Sequence, residues 1–284
     1  MDLLTRLVKE AAQFPYPTVR SGLIRSLKAA VPIRIQNVAD YLYLEADQDK
    51  FNFYRDCPNI APPWPVFFMS YRIPSRLRTR DGWQPAEAPG LELGYLFNGE
   101  EEEATGAWTL RCILFQGSLA RGVDWRIDKD GRLLPASRIP IKEGAVEYSA
   151  SPILRWPQCQ ILDNSPLDLE LFAVPFLAIS FCHCENVPLL REPVPPKVRA
   201  KRERAYGWSP DAWHTLKIEP MRKRLNAAGA CEPGGLKRAL HIMRGHFKDY
   251  RKGRGLFGKN HGMWWWDFRL TDSKHKHQYD ISTD

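Results

Sequence analysis

The stretch LELGYLFNGEEEEATGAWTLRCILFQ, residues 91–116, decides the fold class of this chain. Two runs within it, Leu91–Phe97 and Trp108–Phe115, are rich in apolar, β-branched and aromatic residues and have the length of strands. Between them, Asn98-Gly99 and the acidic run Glu100–Glu103 predict a polar hairpin loop. We therefore expect two antiparallel strands at this point.

Similar runs extend the predicted sheet along the chain. Val66–Ile73 precedes the pair, and Val123–Ile127 follows it, with the turn signal Asp130-Gly131 behind. The four prolines of residues 57–65 exclude regular structure just before the first run, because proline fixes φ and removes a donor. Residues 66–134 therefore predict an antiparallel sheet.

Helical patterns flank this region. Apolar residues keep helical spacing over Leu3–Ala11, a second helix capped by Ser21 is expected to end at Pro32, and a third is expected over Asn37–Ala46. Ser165-Pro166 predicts the start of an apolar helix, since a hydroxyl cap precedes proline at the first helical position. The expected fold class is α+β: a helical N-terminus, an antiparallel β-sheet region, and a small basic β-rich C-terminal region.

Charge is distributed unevenly along the chain. The net charge is +8, yet residues 1–190 hold 20 Lys/Arg and 23 Asp/Glu, whereas residues 191–284 hold 21 Lys/Arg, 10 Asp/Glu and six of the seven histidines. Residues 188–204 have the proline-rich and then basic composition of a linker. We therefore expect a region 1–190 and a basic, His-rich, hairpin-containing region 191–284 that ends in a disordered tail.

The basic region indicates the class of partner. A concentrated positive field attracts polyanions, so we expect nucleic acid, with RNA ahead of DNA because exposed aromatic residues suit unpaired bases. No apolar run reaches the ~18 residues of a membrane span, and residues 1–30 lack the apolar core of a signal peptide. The expectation is a cytoplasmic protein without a membrane partner; a basic face that only contacts water remains an alternative.

The run His241–Tyr250 holds the densest set of chemically active side chains. If it is one strand, alternation puts Arg244, His246 and Lys248 on one face, with Phe247 packed against a row of tryptophans on the other. Histidine transfers protons near neutral pH, and the two cations can balance charge that develops on phosphorus. His183 joins this set if the apolar helix before it packs on the C-terminal sheet. The candidate catalytic residues are His246, Arg244, Lys248, Tyr250 and His183.

The glycine-rich, basic loop 251–261 follows this run. Its glycines allow the backbone to approach phosphate closely. The spacing over Gly253–Lys259 is that of a nucleotide-binding loop, but Asn260 stands where a magnesium-binding Ser or Thr is required, so no nucleotide site is expected. The candidate nucleic-acid contacts are Arg251, Lys252, Arg254, Lys259, His261 and, as a stacking platform, Trp265.

The six cysteines predict neither a disulfide framework nor a metal site. Four are widely scattered, and Cys182-His183-Cys184 has no second ligand pair of the kind that zinc fingers use. We expect reduced thiols, no metal and no cofactor.

Two stretches carry a resemblance. Residues 180–187 contain His-Cys-x-Asn-Val, and Arg244-Gly-His-Phe continues through Leu256-Phe-Gly to Trp264-Trp-Trp. Together they resemble bacterial proteins without an assigned activity, many of them from prophages or mobile elements, in which a lysine usually stands at the position of Glu185. The resemblance covers a small part of the chain and implies a mobile-element context, without an activity or a catalytic residue.

Three functions are consistent with the sequence. The first is a metal-independent, toxin-like ribonuclease that acts through the His/Arg/Lys face. The second is a nucleic-acid-binding regulator without catalysis. The third is a structural or interaction protein in which the basic region is incidental.

Overall fold

A computed structural model of the chain describes residues 2–45, 52–79, 82–86, 89–134, 148–163, 169–218, 241–243, 246–252, 255, 261–266, 269–271 and 278–279. The fold is α+β, as the sequence predicts. The chain divides into two compact units: the first comprises residues 1–180 and 189–216, and the second comprises residues 181–188 and 217–284.

The described helices are α1 (Leu3–Ala11), α2 (Pro17–Ala29), α3 (Gln36–Asp40), α4 (Phe53–Asp56), α5 (Ala173–Cys182) and α6 (Pro196–Tyr206), with a π-helical turn (Tyr41–Glu45) after α3 and a 3-10 turn (Leu169–Phe172) before α5. The described strands of the first unit are β1 (Val31–Arg34), β2 (Val66–Arg72), β3 (Arg76–Thr79), β4 (Gly82–Pro85), β5 (Glu92–Glu102), β6 (Ala107–Gln116), β7 (Leu119–Ile127), β8 (Tyr148–Ala150), β9 (Ile153–Arg155), β10 (Gln160–Asp163), β11 (Leu189–Pro193) and β12 (Ala212–Leu216). Those of the second are β13 (His241–Met243), β14 (His246–Asp249), β15 (Met263–Trp266), β16 (Arg269–Thr271) and β17 (Gln278–Tyr279).

A large mixed sheet forms the first unit. Its strand order is β10-β9-β7-β6-β5-β2-β1-β12-β11, and β8 also pairs with β7. The predicted antiparallel sheet is confirmed in β2, β5, β6 and β7. The sheet is mixed because β1 runs parallel to both β2 and β12. The sequence pattern missed β1, since Pro32 indicates the end of α2 rather than a strand.

The predicted hairpin loop at residues 98–103 is wrong. Strand β5 continues to Glu102, and the turn to β6 falls at residues 103–106. The acidic side chains are accommodated by basic partners on neighbouring strands: Arg111 Nη1 lies 3.2 Å from Glu100 Oε2, and Arg126 Nη2 lies 3.5 Å from Glu102 Oε2. Opposite charges across strands favour the extended conformation of this acidic run.

The two faces of the sheet are both covered. On one face, α1 and α2 pack on apolar residues that include Phe68 and Leu96. On the other, Trp125 contacts Phe172 and Phe176, with ring centroids 4.8 and 4.9 Å apart. Helix α5 is buried from Ala173 onward because it is apolar all round. Its predicted start at Ser165-Pro166 lies outside the described residues.

The expected linker at 188–204 is wrong. These residues form β11, which pairs with β12, and most of α6. Proline is tolerated in the first turn of a helix, where its missing N–H has no partner to lose, and Gly207 ends α6 at φ 73°. Residues 189–216 therefore belong to the first unit. The division of the chain into domains 1–190 and 191–284 stays a prediction.

The second unit is built from small sheets. Strands β13, β16 and β17 form one, and β14 and β15 form another. The run His241–Tyr250, considered above as one strand, is thus divided between two sheets, as β13 and β14. Gln278–Tyr279 pairs with β16 inside the expected disordered tail. Within the described ranges, no helix combines the length and the apolar character required to cross a membrane.

Candidate nucleic-acid interface

The β14–β15 ribbon arranges the candidate residues on two faces. His246 lies opposite Trp266, Lys248 opposite Trp264, and Phe247 opposite Trp265. Directly opposed residues of an antiparallel pair share a face. The outer face, called here the hairpin face, consists of His246, Lys248, Tyr250, Trp264 and Trp266.

The inner face of the ribbon is a small aromatic core. The ring centroid of Trp265 lies 4.7 Å from that of Phe247 and 4.8 Å from that of Phe181. The expected packing of Phe247 on a tryptophan is therefore present. Trp265 is only 2% exposed, so its ring is not available to stack on a base. The expected nucleic-acid contact by Trp265 does not fit this burial.

Asn186 ties the segment after α5 to the free edge of β15. Its Oδ1 accepts from the Trp265 backbone N–H at 2.9 Å, and its Nδ2 donates to the Trp265 carbonyl at 2.9 Å. The Glu185 N–H donates to the Met263 carbonyl at 2.8 Å. Because the Asn186 side chain is fully buried, it acts as an extra strand residue for β15. The two stretches that carry the resemblance thus meet in one structure.

On the hairpin face, a cation lies over an aromatic ring. The Lys248 ammonium is 4.2 Å from the Trp266 ring centroid. Tyr250 and Trp266 pack against Trp264, which is 8% exposed and donates from Nε1 to the His261 carbonyl at 3.2 Å. Lys248 forms no ion pair with a carboxylate of the described residues, so its charge remains available to an anion.

His246 contributes an imidazole to the hairpin face. Its side chain is half-buried, stands opposite Trp266, and lies two positions from Lys248 on the same strand. Alternation brings an imidazole and an ammonium to one side of the ribbon, as the sequence predicts. Arg244, the third member expected on this face, lies outside the described residues.

The basic loop contributes less charge than its composition suggests. Arg251 donates two hydrogen bonds to the Asp249 carboxylate, from Nε to Oδ1 at 3.0 Å and from Nη2 to Oδ2 at 2.8 Å. A bidentate carboxylate offsets the guanidinium charge that a phosphate would otherwise use. Lys252 and His261 are exposed, whereas Arg254 and Lys259 lie outside the described residues.

The Cys182-His183-Cys184 segment begins at the last residue of α5. Burial raises the pKa of Cys182 to about 12, and it also raises the pKa of Cys184. Because the thiolate is the metal ligand and the nucleophile, these protonated thiols are poor at both tasks. His183 is half-buried beside them. Among the described residues, no group of three or more His, Cys, Asp or Glu side chains is arranged to hold a metal ion.

No family model matches the chain, and no curated protein or solved structure is similar to it. The chemistry of the site is therefore inferred from its own residues.

Sequence reasoning missed Trp264, Trp266 and Asn186. The alternation of β15 contained the signal for the tryptophans. Since Phe247 faces the aromatic core, Trp265 opposite it faces the same way, and Trp264 and Trp266 lie on the other face of the ribbon. No local pattern indicates the role of Asn186, because its partner Trp265 is 79 residues away.

Proposed function

We propose that this protein binds nucleic acid through the hairpin face, with single-stranded RNA ahead of DNA. The observation that supports it most is the Lys248 ammonium 4.2 Å over the Trp266 ring. Single-strand binding combines cations that contact the phosphate backbone with aromatic rings on which bases stack. The excess of Lys and Arg in residues 191–284 supplies a long-range attraction for the same polyanion.

RNA cleavage is a second candidate, favoured by the position of His246 beside Lys248. In RNA the 2′-hydroxyl is itself a nucleophile. A histidine can accept its proton as the oxygen attacks phosphorus and the bond from phosphorus to the 5′-oxygen breaks. The imidazolium so formed, or a water that exchanges with it, gives the proton to the departing 5′-oxygen, which leaves a 2′,3′-cyclic phosphate and a free imidazole. Lys248 would stabilise the negative charge that develops on the phosphoryl oxygens. Tyr250 would position a neighbouring nucleotide.

The cellular context belongs to the same proposal. A toxin-like or regulatory RNA-binding protein of a prophage or mobile element would act in the cytoplasm, where transcripts and ribosomes are present. This placement follows the resemblance described above and depends on RNA binding being correct.

Fluorescence polarisation with a labelled single-stranded RNA tests the binding proposal. Lys248→Ala is expected to lower affinity and to reduce the slope of log affinity against log salt by about 0.7, while Lys248→Arg restores the slope. The matched control is Lys129→Ala, which removes an exposed lysine of the first unit and should leave affinity unchanged. Equal effects of the two alanine variants would contradict the proposal.

Stacking is tested with Trp266→Leu, which retains an apolar side chain but removes the ring. Loss of one base–aromatic stack costs about 1–3 kcal/mol, so affinity for single-stranded RNA should fall by roughly 5–150-fold. Far-UV circular dichroism checks that the variant is folded. Unchanged affinity in a folded variant would exclude Trp266 as a stacking platform.

A cleavage assay in EDTA separates the remaining candidates. Cleavage by the wild type supports the ribonuclease, binding without cleavage supports the regulator, and the absence of binding at low salt leaves the interaction protein.

A further inference from the structure

Helix α6 presents most of its length to solvent. It spans Pro196–Tyr206, and none of its residues is buried. Its inward contacts are polar: Arg202 Nη2 lies 3.0 Å from Asp2 Oδ2 at the start of α1, and the Lys9 ammonium lies 5.5 Å from the Tyr206 ring centroid. Most helices gain their stability by burying an apolar face. This helix instead exposes a charged one.

The outward side of α6 carries a line of cations. With 3.6 residues per turn, Lys197, Lys201 and Arg204 fall on the side opposite Arg202. All three are exposed. We name these three residues the α6 stripe. Successive members are about 6 and 4.5 Å apart along the helix axis, because each residue advances ~1.5 Å.

The charge of the stripe is not offset by neighbouring acids. Glu203, which is the acidic residue of α6, bonds Arg199 Nε at 2.8 Å, and Asp211 also pairs with Arg199, at 2.6 Å. Within the part of the chain that the structure describes, the three stripe residues form no ion pair. Their positive charges are therefore presented together to solvent.

The positive surface continues into a groove beside α6. The groove has a volume of about 450 Å³ and is lined by the cations Lys28 and Arg191. Arg199 also lines it, together with its two carboxylate partners Glu203 and Asp211. Lys28 and Arg191 likewise form no ion pair with the described carboxylates. A flexible polyanion that follows the stripe therefore meets further cations where α6 borders β12.

We infer that the α6 stripe of the first unit is a second nucleic-acid contact, which binds the phosphate backbone without reading bases. Three exposed cations at one-turn intervals suit a chain of regularly spaced phosphates. This inference rests on the proposed function for the class of partner. It adds a second surface that contacts phosphates, whereas the hairpin face would contact unpaired bases. An anionic membrane is a poorer match, because an interfacial helix needs large apolar residues on one side and the outward side of α6 has Ala200 among its cations.

The test compares two triple variants of the full chain. Lys197→Ala/Lys201→Ala/Arg204→Ala removes the stripe and introduces the residue with the highest helix propensity. Lys129→Ala/Arg132→Ala/Arg155→Ala removes the same net charge from exposed positions after β7 and on β9, and so controls for the long-range field. Binding is measured from 50 to 200 mM salt with a single-stranded RNA, the matching duplex, and vesicles that contain anionic lipid.

The stripe variant is expected to lower the salt slope by about 2 for single-stranded RNA, and to weaken duplex binding as well, because phosphate contacts do not need unpaired bases. The control variant should change the slope much less. Equal slopes in the two variants, or a stripe variant that loses vesicle binding alone, would overturn the inference. Failure of the proposed function has a different result: no preference for single strands, and no effect of Trp266→Leu.

Discussion

Asn186→Ala is the substitution that most sharply tests how the second unit is held together. The Asn186 side chain makes two hydrogen bonds of 2.9 Å to the backbone of Trp265, and both residues are buried. The Tyr250 N–H donates to the Gly262 carbonyl three positions along the ladder from the Phe247–Trp265 pair. Because hydrogen-bonded and non-hydrogen-bonded pairs alternate, Phe247 and Trp265 form a non-hydrogen-bonded pair whose backbone groups point away from each other. Alanine would therefore leave the Trp265 N–H and C=O without these partners.

The expected cost follows from those two groups. A buried backbone donor or acceptor left unsatisfied costs about 1–3 kcal/mol, so Asn186→Ala should destabilise the second unit by about 2–6 kcal/mol. Local opening should rise accordingly, by at least about 30-fold for the lower figure.

Hydrogen exchange at the Trp265 amide measures this directly, because the amide is the donor of one lost bond. Protection should fall by at least about 30-fold in Asn186→Ala. The control is Asn98→Ala on β5, whose side chain forms no hydrogen bond with the described residues. Unchanged protection of Trp265 would refute the reasoning that Asn186 serves as a strand residue for β15.

Three further predictions concern the second unit. Gly262→Ala should lower the midpoint of thermal unfolding, since Gly262 has φ 102° and the Glu185 side chain lies 2.8 Å from the added Cβ. The control Gly22→Ala places its Cβ in open space on α2 and should not lower the midpoint. Equal midpoints for the two variants would contradict the clash. Burial raises the pKa of Cys182 from 9.0 to about 12, so the thiol deprotonates first in the unfolded chain and the free energy of unfolding falls as pH rises from 9 towards 12. In urea unfolding, this fall should be less steep for Cys182→Ala than for the wild type, by up to about 1.4 kcal/mol per pH unit. Identical pH profiles of the two proteins would argue against it. If RNA is cleaved, His246→Gln should lower the rate by about 10²–10⁴ with affinity retained, whereas a parallel loss of affinity and stability would identify a packing residue.

The central strands of the first unit were predictable because their composition and their environment agree. Most residues of Leu91–Phe97 and Trp108–Phe115 are buried or half-buried on a sheet that is covered on both faces, so apolar and aromatic residues suit both sides of these strands; Arg111 is exposed. The acidic extension of β5 was not predictable by propensity, because it depends on long-range pairing: its backbone pairs with β6 over Asn98–Glu102, and its exposed carboxylates meet Arg111 of β6 and Arg126 of β7.

Helix α6 shows how composition can mislead. Its two leading prolines and its run of cations are typical of a linker, yet the same residues carry helix signals: proline in the first turn and Gly207 immediately after the last turn. These boundary signals, unlike the composition, predict a helix over these residues and therefore a line of cations on one side of it.

The candidate site was predictable in part. Alternation correctly put His246 and Lys248 on one face of β14 and Phe247 on the other. The choice of Trp265 as a stacking platform failed because burial is decided by Phe181, which is distant in sequence. Contacts of this kind depend on tertiary packing and leave no local pattern.

Photo-cross-linking with 4-thiouridine-substituted RNA, followed by mass spectrometry of the cross-linked peptides, tests the central claim most directly. If RNA binds on the hairpin face, cross-links are expected at Tyr250 or Trp266, and they should disappear when unlabelled single-stranded RNA competes. Cross-links confined to segments outside residues 246–266, or none under conditions where the RNA is bound, would contradict it.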